Sequence, residues 1–192
     1  MIYAGPHLIL AVAFWMVLTL VVAGGVVFSV LSLRGGRWSI VAAAAFLLVA
    51  VVMVGLPHPA GPALLGAAIA LGAVAMSAFG GSPAVKTVLA LATRQVEGEA
   101  GGIMIAAEAE GEPGKQREVL RGGLTIGVLE RVATTAALLA GAPEAIAVVI
   151  AIKGVGRFSE LGASEAQERF IIGTFVSLGW AAVCGALARL AW

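Results

Sequence analysis

Residues 1–33 read MIYAGPHLILAVAFWMVLTLVVAGGVVFSVLSL and contain no charged side chain. A helix rising 1.5 Å per residue needs about 20 apolar residues to cross the roughly 30 Å hydrocarbon core of a bilayer. This stretch therefore reads as one long span, about His7 to Leu33. It lacks the basic start and short apolar core of a cleaved signal peptide, so it is expected to be retained. Residues 38–85 are also free of charge apart from His58, taken as neutral. Gly55-Leu-Pro-His-Pro-Ala-Gly-Pro62 divides them into two further spans, about Trp38–Val54 and Ala63–Phe79. After Gly80-Gly-Ser-Pro83, the segment Ala84–Gln95 is too short to cross and reads as an interfacial helix.

Composition agrees with this reading. Apolar residues make up 60% of the chain and charged residues 12%, with a mean hydropathy of +1.03. A soluble domain carries about 25% charge and roughly 45–50% apolar residues. A soluble globule, a disordered chain and a nucleic-acid-binding protein are thereby excluded. There is no Asp, and 12 Lys plus Arg nearly cancel 11 Glu, so bulk charge names no partner. The single Cys184 cannot close an internal disulfide.

The one water-loving region is Glu97–Glu118, rich in Glu, with Lys115, Arg117 and a turn at Pro113-Gly114. Ile103-Met-Ile105 within it reads either as a short strand or as a membrane-touching element. Three more apolar segments follow, about Gly122–Ala140, Glu144–Phe158 and Phe170–Ala191, the first two joined by Gly141-Ala-Pro143. The expected fold is an all-α polytopic bundle of about six transmembrane helices. Residues 1–93 form a three-helix half with the interfacial helix, 94–121 a Glu-rich loop, and 122–192 a second three-helix half. Six spans put both termini on one side, and ten of the 12 basic residues fall in the three loops of the other. Excess Lys and Arg mark the cytoplasmic face, so both termini are expected outside and the Glu-rich loop in the cytoplasm.

The remaining charges fall inside the expected spans. A charge at a helix centre costs roughly 2.5–3.5 kcal/mol on insertion scales, so it persists where it is paired or used. Glu130 and Arg131 follow Arg121 by nine and ten residues, about 13–15 Å of helical rise and close to the midplane. On the next helix Lys153, Arg157 and Glu160 are spaced i, i+4, i+7 and share a face. With the turn centred near Ala142, residues whose numbers sum to about 284 lie at equal depth. That register predicts a Glu130–Lys153 ion pair, sets Gly127 opposite Arg157 and Leu124 opposite Glu160, and leaves Arg157 to Glu160 or Glu168. Thr134 and Thr135 lie one turn from Glu130 and Arg131, within reach of the pair. Only eight uncharged residues separate Glu144 from Lys153, so that helix is expected to be surrounded by the others or partly re-entrant.

Small residues point to tight packing around this cluster: Gly123 and Gly127, and the stripe Gly173, Ser177, Ala181, Gly185 on the last helix. Such faces on the first and last spans also allow a homo-oligomer. His7 and His58 lie near the outer face without Cys or Asp beside them, so no metal and no cofactor is expected. Trp38 and Trp192 stand at span ends, as interfacial anchors do. No phosphate loop, dinucleotide fingerprint or Ser-His-Asp set is present. Leu-Arg-Gly-Gly recurs at 33–36 and 120–123, a faint sign of a 3+3 inverted repeat.

Three blocks of the C-terminal half, Gly123-Leu-Thr-Ile-Gly-Val-Leu-Glu-Arg131, Ala151-Ile-Lys-Gly-Val-Gly-Arg-Phe-Ser-Glu160 and Glu168-Arg-Phe-Ile-Ile-Gly-Thr174, resemble a family of uncharacterised bacterial integral membrane proteins. The resemblance covers about 70 of the 192 residues. It implies a multi-pass protein of the bacterial inner (plasma) membrane and assigns no activity to the blocks. The buried charges admit two physical roles, a satisfied network that fixes helix register or the lining of a polar path. The first functional expectation is a small, non-enzymatic transporter or channel-like protein handling a proton, ion or small anion through Glu130, Arg131, Lys153, Arg157 and Glu160. The second is a scaffold or subunit that docks a protein partner through its Glu-rich loop. The third is an enzyme whose basic cluster holds a lipid phosphate. In each case an excess cation at depth calls for Glu168, an anion or an anionic lipid headgroup.

Overall fold

A computed structural model describes residues 4–99, 123–157 and 164–192. They form six helices: α1 (Ala4–Ser32), α2 (Arg37–Gly55), α3 (Ala63–Glu99), α4 (Gly123–Leu139), α5 (Ala145–Arg157) and α6 (Ser164–Leu190). No strand occurs among the described residues. Four stretches are long and apolar enough to cross a membrane: Leu8–Ser32, Arg37–Gly55, Ala63–Ala92 and Gln167–Leu190. In hydrocarbon every backbone N–H and C=O must be satisfied within the chain, and uninterrupted helices do this. Many large apolar side chains point outward, Leu64, Leu71 and Phe175 among them. That is the surface a lipid solvent selects.

The long helices α3 and α6 form the central pair, with the α1–α2 hairpin on one side and α4 on the other. Small residues set the distances. A Cβ at Gly25 would lie 2.5 Å from the Met76 methyl, and one at Gly72 2.5 Å from Val22. Trp15, Leu18, Leu47, Ile69, Met76 and Leu187 fill the space between α1, α2, α3 and α6. The 56–62 loop closes this end: Trp15 Nε1 donates to the Pro59 carbonyl at 3.0 Å, and His58 stacks on Phe14.

Two expectations are corrected. Residues 84–95 are no separate interfacial helix, because α3 continues through Gly80-Gly-Ser-Pro83. Pro83 removes one backbone donor without ending the helix, and Thr87 Oγ1 donates to the Pro83 carbonyl at 2.9 Å. The two glycines serve close packing: a Cβ at Gly80 would lie 2.5 Å from the Trp180 ring, and one at Gly81 would run into Arg131. Nor is α5 surrounded. Among the described residues it packs against α4 almost alone, and Ile152 and Val155 stand exposed. Its 13 residues rise about 20 Å, short of a full crossing. The strand or membrane-touching element at 103–105, and the rest of the Glu-rich loop, lie outside the described residues.

The α4–α5 turn is a Schellman motif. Ala142 N–H bonds the Ala137 carbonyl at 2.9 Å and Gly141 N–H that of Leu138 at 3.0 Å, with Gly141 at φ +75°. A Cβ is disfavoured in that left-handed region by roughly 1–2 kcal/mol. Gly141→Ala should lower stability by about 1 kcal/mol, read by reversible unfolding in detergent.

Candidate functional site

Antiparallel pairing of α4 and α5 across the Gly141 turn brings Glu130 opposite Lys153. Their side chains form an ion pair, and both are largely but not wholly covered, with Glu130 10% and Lys153 17% exposed. The Lys153 ammonium also lies 6.0 Å above the Phe170 ring of α6. Glu130 and Arg131 are adjacent in sequence and so point about 100° apart around α4. Arg131 consequently turns away from α5 and drives between α3 and α6.

Arg131 is 2% exposed. Its Nη2 donates to the Ala78 carbonyl at 2.9 Å and to Ser82 Oγ at 3.1 Å, and its Nη1 to Ser177 Oγ at 3.4 Å. Nε has no partner among the described residues. Beneath it, Ser77 Oγ donates to the Arg131 carbonyl at 3.3 Å, and Thr135 Oγ1 lies 2.7 Å from Ser77 Oγ and 3.0 Å from the Ala181 carbonyl. Trp180 Nε1 donates to the Met76 carbonyl at 2.9 Å. Side chains of α4 and α6 thus reach α3 at Met76, Ser77, Ala78 and Ser82, where Gly80 and Gly81 open the notch.

The expected five-residue cluster therefore separates. Glu130 and Lys153 are paired, Arg131 turns toward α3 and α6 and shares a groove with Lys153 but no ion pair, Glu160 lies outside the described residues, and so does the side chain of Arg157. Glu168 is exposed at the start of α6. Thr134 does not join the charges: its hydroxyl donates to the Glu130 carbonyl at 2.8 Å, a bond within its own helix. The stripe on α6 faces inward. Ser177 and Ala181 meet Arg131 and Thr135, a Cβ at Gly185 would lie 2.8 Å from Leu138, and one at Gly173 3.5 Å from Val85. These small residues pack within the chain, and Gly24 and Gly25 of α1 likewise pack on Phe46 and Met76. Gly127 lies beside Arg131, and Gly123 opens α4 at a groove described next.

Arg131 meets α3 at Ala78–Ser82, while Ile40 and Ala43 of α2 share a buried cluster with Ala84. Arg37 opens α2 one turn before Ile40, so Arg131 lies about two turns, on the order of 10 Å, from the Arg34–Arg37 end.

A groove of about 350 Å³ runs between α3, α4 and α6, with Lys153 of α5 at its edge. Lys86, Arg131, Lys153 and Arg169 line it, and no carboxylate among the described residues does. Glu130 stands behind Lys153, in a neighbouring cavity of about 450 Å³ between α4 and α5. Sequence reasoning counted Lys86 and Arg169 only as markers of topology and missed their convergence. It also missed Ser77, Ser82 and Trp180 as partners, since serine is unremarkable inside an apolar helix. No group of three or more metal-ligating side chains occurs among the described residues, and the side chain of His7 lies outside them. No family model, curated protein or solved structure matches the chain.

Proposed function

We propose that this chain is a small multi-span transporter, with both termini outside, that takes an anionic group into the α3–α4–α6 groove and passes it beside Lys153. The observation that carries this reading is the groove itself: Lys86, Arg131, Arg169 and Lys153, the last paired with Glu130 from behind, line it, and no carboxylate among the described residues does. Concentrated like charge in a concave, low-dielectric wall raises the local concentration of the opposite charge. Lys153 lines both the groove and the α4–α5 cavity. An anion moving between them competes with Glu130 for the same ammonium, which makes the ion pair the natural control point. The positive residues at the Arg34–Arg37 end support a groove mouth on the cytoplasmic side.

The test is flux across proteoliposome membranes, measured with inorganic phosphate and with fluorescent phosphatidylglycerol. The wild type should exceed protein-free vesicles for at least one of these. The double variant Glu130→Gln, Lys153→Met removes the pair as a unit and leaves no orphaned charge; it should slow that flux by about tenfold or more, as expected when a charged hydrogen bond is lost. Wild-type flux no faster than the double variant for both probes would overturn the reading. The scaffold alternative draws on Arg131, whose hydrogen bonds all end on α3 and α6. It requires the swap Glu130→Lys, Lys153→Glu to behave as wild type in flux as well as in stability.

A further inference from the structure

Resting on that anion reading, we infer that the ligand is a phosphate-bearing amphiphile, its headgroup in the cationic groove and an acyl chain along the α4–α5 cavity. The groove is not polar throughout. Val85, Leu89, Leu124 and Phe170 alternate with its cations. A free hydrated anion gains nothing from such walls, whereas an apolar chain gains roughly 25 cal/mol for each Å² it buries. The second cavity is apolar apart from the ion pair, lined by Ile126, Leu129, Val149 and Ile152. Gly123, Gly127 and Lys153 line both spaces, so the polar and apolar compartments meet over two positions of α4 that carry no side chain.

The placement of α5 supplies an entrance. It packs on α4 almost alone among the described residues, and Leu129 and Ile152, which line the apolar cavity, are 63% and 69% exposed. That cavity therefore opens sideways to the lipid phase rather than toward water. Depth fits as well. Arg131 lies on the order of 10 Å from the Arg34–Arg37 end, and Lys86 and Arg169 line the groove with it, at the level where leaflet phosphates meet basic side chains. A short polar solute would use the groove alone. An amphiphile uses both spaces and the saddle between them.

Thermal unfolding of the full chain in a neutral detergent, titrated separately with dioleoyl phosphatidic acid, dioleoyl phosphatidylcholine and inorganic phosphate, tests this, since a ligand of the folded state raises the midpoint with concentration. Phosphatidic acid should bind about tenfold or more tightly than either other probe, the step that 1.4 kcal/mol makes. Lys86→Gln with Arg169→Gln should weaken phosphatidic acid and inorganic phosphate alike. Gly127→Leu, which blocks the saddle and crowds Arg131 Nη1, should weaken phosphatidic acid more than inorganic phosphate. Ile152→Trp, at an exposed position on the rim of the apolar cavity, should do the same. Equal affinity for phosphatidic acid and inorganic phosphate, with both blocking variants silent, would overturn the amphiphile and leave the anion site standing. No shift with any probe would overturn both.

Discussion

Arg131→Ala should lower the stability of the folded chain by about 3 kcal/mol, the range expected when a buried, hydrogen-bonded charged side chain is truncated. Its guanidinium joins α4 to the Ala78 carbonyl and Ser82 of α3 and to Ser177 of α6. Alanine removes all three bonds and leaves a void in the notch against Gly81. Arg131→Lys keeps the charge but not the planar fork, so it reaches one acceptor and recovers about half the loss. Arg131→Met is the informative variant. It fills the space without a charge, and the hydroxyls of Ser82 and Ser177 can turn to other acceptors. Replacing a buried charge by an apolar side chain of similar volume is often neutral or better. Methionine should therefore stay within about 1 kcal/mol of wild type while weakening phosphatidic acid by about tenfold or more. Reversible unfolding in detergent and lipid titration on the same samples separate the two. If methionine is as unstable as alanine, the hydrogen bonds dominate; if its lipid affinity is unchanged, Arg131 lies outside the binding site.

The hairpin register shows what periodicity reveals and what it leaves hidden. Counting from Ala142 was enough to pair Glu130 with Lys153, because two antiparallel helices joined by a tight turn have only one free parameter, and Gly141 fixes it. The same arithmetic could not separate Glu130 from Arg131. Depth along an axis is set by residue number, but the direction a side chain takes depends on which neighbours leave room. Arg131 goes where Gly81 opens a notch, some fifty positions away. Nor does local sequence show that Gly80-Gly-Ser-Pro83 is a docking surface. Gly and Pro in that order normally end a helix, yet here α3 runs on through them with α4 and α6 packed against it. Lys86 and Arg169 were legible as topology markers, since that requires only their loop. Their convergence with Arg131 on one groove depends on α3 and α6 crossing beside α4, which no single segment encodes.

Gly81→Ala should destabilise the chain by about 2 kcal/mol even though alanine is the better helix former by roughly 1 kcal/mol. The added methyl would fall 2.7 Å from Arg131 Nε, with Cδ closer still, and Arg131 cannot retreat without giving up Ala78, Ser82 and Ser177. Gly80→Ala meets the Trp180 ring in the same way, and the bond from Trp180 Nε1 to the Met76 carbonyl holds that ring in place. Gly154→Ala on α5 is the control, because nothing lies within 4 Å of its added carbon. It should gain up to about 1 kcal/mol from propensity alone. If Gly81 and Gly154 respond alike, the notch is not what holds α3, α4 and α6 together. A double variant makes the cause specific. With Arg131→Ala already present, the methyl at Gly81 enters space the guanidinium has left, so the two losses should fall short of their sum by about 1 kcal/mol or more. Simple additivity would mean that the strain at Gly81 comes from the helix itself and not from the arginine it receives.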